Sequence, residues 1–167
     1  MADLLRRVDV SYLGECDVPE QFLDVVREGW TTSASGARVL SALAAASSGT
    51  FFDVVQEEYS VNGRGMIDYD LPASGHEREE ALLRRSLAYC FACLDKASEQ
   101  LGSNSVMAYV SISAGGLDED TLTANVTFCG DHPGLPSYVQ DIESYREEAL
   151  MELLPGDYVS LLEASQA

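Results

Sequence analysis

The chain has 167 residues, 46% of them hydrophobic, which is enough for a sizeable core and too many for a disordered tail. Its 28 acidic residues against 10 Lys and Arg leave a net charge of -18, which disfavours direct contact with a nucleic-acid backbone or an anionic membrane surface. A single acidic domain spanning 1–167 is expected.

Met1-Ala2-Asp3-Leu4-Leu5-Arg6-Arg7 is not followed by an apolar stretch of signal-peptide length. No run approaches the ~18–20 apolar residues that cross a bilayer. A cytoplasmic protein is therefore expected, with Cys16, Cys90, Cys93 and Cys129 reduced. Lys96 is the one lysine among the ten bases, a bias that suggests GC-rich coding; salt adaptation would also give an acidic, lysine-poor chain.

Val8, Val10 and Tyr12 suit a short strand. Asp17 and Pro19 mark a helix start, and Phe22, Val25, Val26 and Trp30 recur at helical spacing. Residues 31–36 read as a loop, and Val39, Leu40, Leu43 and Ala44 as a second helix. From Thr50 the chain turns aromatic and β-branched, through Phe51, Phe52, Val54, Val55, Tyr59 and Val61. Asn62-Gly63 then suits a hairpin turn, with a return strand over 66–71 that Pro72 stops. In that strand Asp68 and Asp70 share a face.

Ser74 and Glu77 have capping-box spacing. Leu83, Leu87, Cys90, Leu94, Ala97 and Leu101 advance in alternating steps of four and three, which predicts a long amphipathic helix from about Glu77 to Leu101. Residues 105–114 and 121–128 alternate, as a hairpin with one buried face does, around a turn holding Asp118, Glu119 and Asp120. Gly130 to Pro136 reads as a rigid loop. Tyr138, Ile142, Tyr145, Ala149 and Leu153 predict a last helix, and Tyr158 to Leu162 an apolar tail docked on the sheet. The order ααββαββα predicts an α+β fold: an antiparallel sheet of about four strands, in two hairpins, with helices packed on one face.

Few residues suggest chemistry. Cys90-Phe91-Ala92-Cys93 has redox or half-zinc spacing, but no second Cys pair or His pair completes a zinc site. Cys90 also occupies an apolar position of the helical stripe. No phosphate-binding glycine loop or G-x-S-x-G elbow occurs. Asp131-His132 is the best polar candidate, since a carboxylate can orient an imidazole as base or ligand, with Cys129 close in sequence. Asp68 and Asp70 suit a carboxylate pair, although an exposed strand face carries such residues routinely. Tyr59, Tyr69 and Tyr109 suit a binding surface.

Charge distribution gives the main functional clue. Residues 101–167 hold eleven acids against Arg146 alone. On the predicted last helix Glu143 and Glu147, and Glu148 and Glu152, stand four apart, an arrangement that weakens an isolated helix. With Asp118, Glu119, Asp120, Asp131 and His132, residues Glu143, Glu147 and Glu148 form the expected partner-binding set. The expectation is a non-enzymatic binding protein that meets a basic protein, such as a bacterial toxin or nuclease neutralised by an immunity protein or inhibitor. A nucleic-acid mimic that blocks a DNA-binding protein is the first alternative. A small enzyme or metal-binding protein centred on Asp131-His132 is the second. No cofactor or metal is expected.

Overall fold

The computed structural model describes residues 1–10, 12–102, 106–114 and 121–158, without the side chains of Ala2, Arg7 and Glu15. In chain order the elements are α1 (Ala2–Arg7), a 3-10 turn (Glu15–Asp17), α2 (Glu20–Glu28), β1 (Trp30–Thr32), β2 (Arg38–Leu40), α3 (Ser41–Ala46), α4 (Val54–Asn62) and β3 (Arg64–Gly65). There follow α5 (His76–Gln100), β4 (Met107–Ala114), β5 (Leu122–Cys129), a second 3-10 turn (Ile142–Ser144) and β6 (Ala149–Leu153). The fold is α+β. Its main sheet is antiparallel with strand order β3-β5-β4-β6, and β1 and β2 form a separate antiparallel pair.

The sheet alternates as the sequence demands. Ala108, Val110 and Ile112 of β4, and Ala124, Val126 and Phe128 of β5, turn inward. There they meet Leu83, Leu87, Cys90, Leu94 and Ala97, the predicted stripe of α5, in one core cluster. β4 pairs with β5 from Met107↔Cys129 to Ala114↔Leu122, and β6 joins the other edge of β4 from Ala108↔Leu153 to Ile112↔Ala149.

The β1–β2 hairpin is tied to α5. Gly29 ends α2 with φ +67, and a Cβ there would collide with the Gln100 side chain. That close approach lets the Trp30 amide donate to Gln100 Oε1 at 2.7 Å and the Trp30 indole N–H donate to the Cys93 carbonyl at 2.8 Å. Trp30 also meets Phe128 edge-on, with ring centroids 5.5 Å apart.

Three arginines of α5 fasten the flanking loops. Arg78, 3% exposed, donates to the carbonyls of Leu122 and Pro72 at 2.6 and 3.0 Å and pairs with Asp68. Arg84 holds Asp17 at 3.0 Å and the Tyr12 carbonyl at 2.9 Å, and Arg85 grips Asp70 with both terminal nitrogens. A guanidinium can do this because its five donors fan out in a plane, whereas an ammonium places three donors on one atom.

Several local expectations are corrected. The strand predicted over 51–61 is α4: Asp53 caps it by accepting from the Gln56 amide at 2.8 Å, and its inward face carries Glu58 and Asn62. The return strand shrinks to Arg64–Gly65, and Asp68 and Asp70 lie beyond it in a loop, each paired with an arginine rather than with the other. Val39 and Leu40 belong to β2, ahead of the short α3. Trp30 starts a strand instead of closing a helix, and no strand forms at Val8 and Val10, which are buried after α1. Asp17 binds Arg84 instead of capping α2, and α5 starts after Gly75 with no side-chain cap from Ser74. The predicted last helix is a 3-10 turn followed by β6, because Met151 and Leu153 complete the inner sheet face beside β4. Tyr158 packs on Phe91 of α5, not on the sheet, with ring centroids 5.0 Å apart; residues 159–162 lie outside the described residues.

Candidate binding groove on the outer sheet face

The outer face of the sheet is polar and aromatic. Register aligns Thr127, Tyr109 and Glu152 in one row, and Asn125, Ser111 and Leu150 in the next. Tyr59 reaches this face from α4, whose backbone is fixed where the Thr127 hydroxyl donates to the Tyr59 carbonyl at 3.3 Å. The segment after β5 then crosses the face and brings Tyr138, Tyr145 and Glu148 over it. The Ser111 hydroxyl donates to the Glu148 carboxylate and holds that crossing in place.

All of these residues except Glu152 line a groove of about 470 Å³, together with Arg64, whose guanidinium donates to the Gly63 carbonyl. Tyr138 is its hub: its ring centroid lies 5.3 Å from that of Tyr59 and 5.1 Å from that of Tyr109. Tyr109 is buried, while Tyr59, Tyr138 and Tyr145 are 38–42% exposed. Burial raises the Tyr109 phenol above its ordinary value, and the negative charge of Glu152 raises it further, followed by Cys129 and Asp131, while its hydroxyl is directed at Met107 Sδ at 4.0 Å. Burial also raises the Tyr138 phenol, with Cys129, Tyr145, Glu148 and Tyr59 adding to it. The phenols therefore remain neutral donors at physiological pH, in surroundings made negative by carboxylates.

Behind the groove, Glu58 and Asn62 join the two sheets. Fully buried Glu58 accepts from the amides of Arg38 at 2.8 Å and Gly130 at 2.6 Å. One turn on, Asn62 accepts from the Leu40 amide and donates to the carbonyls of Arg38 and Phe128, each at 3.0 Å. α4 thus substitutes for a strand along β2. His132 Nε2 lies 3.0 Å from Glu58 Oε1, so the carboxylate beside this imidazole comes from α4 and not from Asp131, which is exposed.

The expected site residues divide accordingly. Glu148 lines the groove, and Asp131 is close enough to act on Tyr109. Glu143 and Glu147 are exposed beside it, although not on a shared helix. His132 serves the α4 junction. Asp118, Glu119 and Asp120 lie outside the described residues. Tyr59 and Tyr109 meet in the groove as the sequence suggested, whereas Tyr69 lies elsewhere, accepting from Gln21 at 2.6 Å. Tyr138 and Tyr145, read as a helical stripe, and buried Glu58 went unrecognised.

The chemical alternatives gain little from this geometry. Burial raises the Cys129 thiol, and the Glu58 charge raises it further, so Cys129 is a poor thiolate beside His132. Burial likewise raises Cys90 and Cys93. Among the described residues no three His, Cys, Asp or Glu side chains gather as metal ligands, and no helix is long and apolar enough to cross a membrane. No protein-family model, curated protein or solved structure matches the chain significantly.

Proposed function

We propose that this chain is a binding protein that receives a basic partner protein on the outer sheet face, as an immunity protein or inhibitor would hold a basic toxin or nuclease. One observation carries the reading. Residues 121–158 contain seven acids, and none of the seven has an ion-pair partner among the described residues. Arg6, Arg27, Arg78, Arg84, Arg85 and Lys96, by contrast, are all paired within the first hundred residues. Of these uncompensated carboxylates, Glu148 lines a groove with half-exposed Tyr59, Tyr138 and Tyr145, and tyrosine is the side chain that anchors protein interfaces with a large apolar body and a polar tip. Such a field accelerates encounter with a cationic surface. We propose the cytoplasm as the place of action, because the four free cysteines suit a reducing compartment.

The test is photo-crosslinking in the native host. One crosslinking side chain replaces Val139, which lines the groove, and another replaces exposed Glu99 on α5. A basic protein captured through position 139, absent at position 99 and lost as salt rises, supports the reading. If that protein binds DNA and the nucleic acid competes for it, the protein acts as a nucleic-acid mimic. Equal capture at both positions, or capture of only neutral and acidic proteins, rejects the reading.

A further inference from the structure

We infer that the outer-face groove is a receptor for arginine: the basic partner enters it with a guanidinium stacked on Tyr138 and forked onto Glu148. The inference rests on the basic-partner reading above and names the chemistry that the site selects. Tyr138 stands between Tyr59 and Tyr109, inclined 35° to one ring and 64° to the other. The cluster therefore presents both ring faces and ring edges to the groove. Tyr59 and Tyr138 keep more than a third of their surface open, so a planar cation has a face to stack on.

Glu148 completes the site. The Ser111 hydroxyl engages Oε2, and Oε1 has no hydrogen-bond partner among the described residues. The carboxylate is held in place yet retains lone pairs for a second donor. A guanidinium satisfies both features together, because it is planar, weakly hydrated and able to offer parallel N–H groups to a carboxylate. An ammonium satisfies only the second, and its compact, strongly hydrated charge gains less from the rings. The groove volume of about 470 Å³ leaves room for the backbone flanking the anchor, Asn125 offers an amide to it, and Arg64, the base already in the lining, is turned onto the Gly63 carbonyl.

The test uses three defined probes: acetyl-Gly-Arg-Gly-Arg-Gly amide, its lysine counterpart, and its neutral citrulline counterpart. Each is titrated into the full-length protein labelled with carbon-13 in its tyrosine rings. The arginine probe should shift the Tyr59, Tyr109 and Tyr138 signals and bind about fivefold or more tightly than the lysine probe. The citrulline probe should not bind measurably. Tyr138→Leu should bring arginine and lysine to within about twofold of each other, whereas Glu148→Gln should weaken both. Trp30 fluorescence checks that each variant is folded. Equal affinity for the arginine and lysine probes, or shifts confined to signals outside the groove, overturns the inference. Capture of a basic partner through position 139 with no arginine preference defeats only the arginine inference. Failure of both experiments defeats the basic-partner reading as well.

Discussion

Replacing Glu58 by glutamine tests the polar junction behind the groove without opening a cavity. In the native protein Oε1 accepts from the Arg38 amide at 2.8 Å and faces His132 Nε2 at 3.0 Å, while Oε2 accepts from the Gly130 amide at 2.6 Å. A carboxylate suits this site because both of its oxygens accept. The isosteric amide has one oxygen and one NH2 group. Whichever way it is turned, the NH2 faces a buried backbone N–H and leaves a donor without an acceptor. An orphaned buried donor costs about 1–3 kcal/mol, and the remaining bonds lose their charge assistance. Glu58→Gln should therefore destabilise the fold by about 2–3 kcal/mol, which at this chain length lowers Tm by about 5–10 °C. Glu58→Ala removes every acceptor and should cost more, about 3–5 kcal/mol. Urea unfolding followed by Trp30, the single tryptophan and 6% exposed, measures both variants. If Glu58→Gln lies within about 0.5 kcal/mol of the parent, the junction is not the clip described.

Leu87→Ala should cost about 2–5 kcal/mol in the same assay, because Leu87 is fully buried between α5 and the sheet, and a loss below about 0.5 kcal/mol would contradict that placement. Bonding to Arg85 holds the Asp70 carboxyl down from 3.8 to about 2, so its contribution is present above the unfolded value and lost as pH falls through the folded one. Acid unfolding of Asp70→Asn should accordingly be flatter than the parent's between about pH 4 and pH 2, and parallel profiles would show the pair to be inert. Iodoacetamide should label exposed Cys16 readily and buried Cys90, Cys93 and Cys129 only after denaturation, with mass spectrometry counting the adducts; rapid labelling of a second cysteine would contradict the burial.

The legible elements were those whose hydrophobic period had no competitor. The α5 stripe runs for about five turns without ambiguity, and β4 and β5 alternate cleanly because only one of their faces meets the core cluster. α4 was illegible because two of its inward residues are Glu58 and Asn62. An apolar-period reading discards them, and the remaining Val54, Val55, Tyr59 and Val61 have strand propensity. The Asp53 cap was the available signal. β6 failed for the opposite reason. Ala-Leu-Met-Glu-Leu consists of strong helix formers, and Ala149 and Leu153 fit a helical stripe as well as a strand face. Pairing with β4 decides the matter, and that contact does not show in local sequence. The groove was half visible for the same reason: Tyr59 and Tyr109 read as binding-surface tyrosines, while Tyr138 joins them only because its segment folds back across the sheet.

The arginine-for-lysine bias and the acidic C-terminal third have a common physical consequence. Arg78 and Arg84 each combine a carboxylate with at least two backbone carbonyls, and Arg85 combines Asp70 with the Ile67 carbonyl, a task suited to the divergent donors of a guanidinium. Much of the positive charge is thereby used to hold the loops against α5. Arg146 is the one base in residues 101–167, and Arg64 is the base that lines the tyrosine groove. Salt adaptation alone predicts acids spread over the surface, with no preference for aromatic neighbours. Here Glu148 lines the tyrosine groove, and Asp131 and Glu152 lie close enough to Tyr109 to raise its phenol, while exposed Glu143 and Glu147 extend the field along the same crossing segment. That coincidence of charge and aromatic surface favours recognition over solubility. It also separates two contributions: substitutions at Glu143 and Glu147 should act on encounter, whereas changes at Tyr138 and Glu148 should act on how long a bound cation stays.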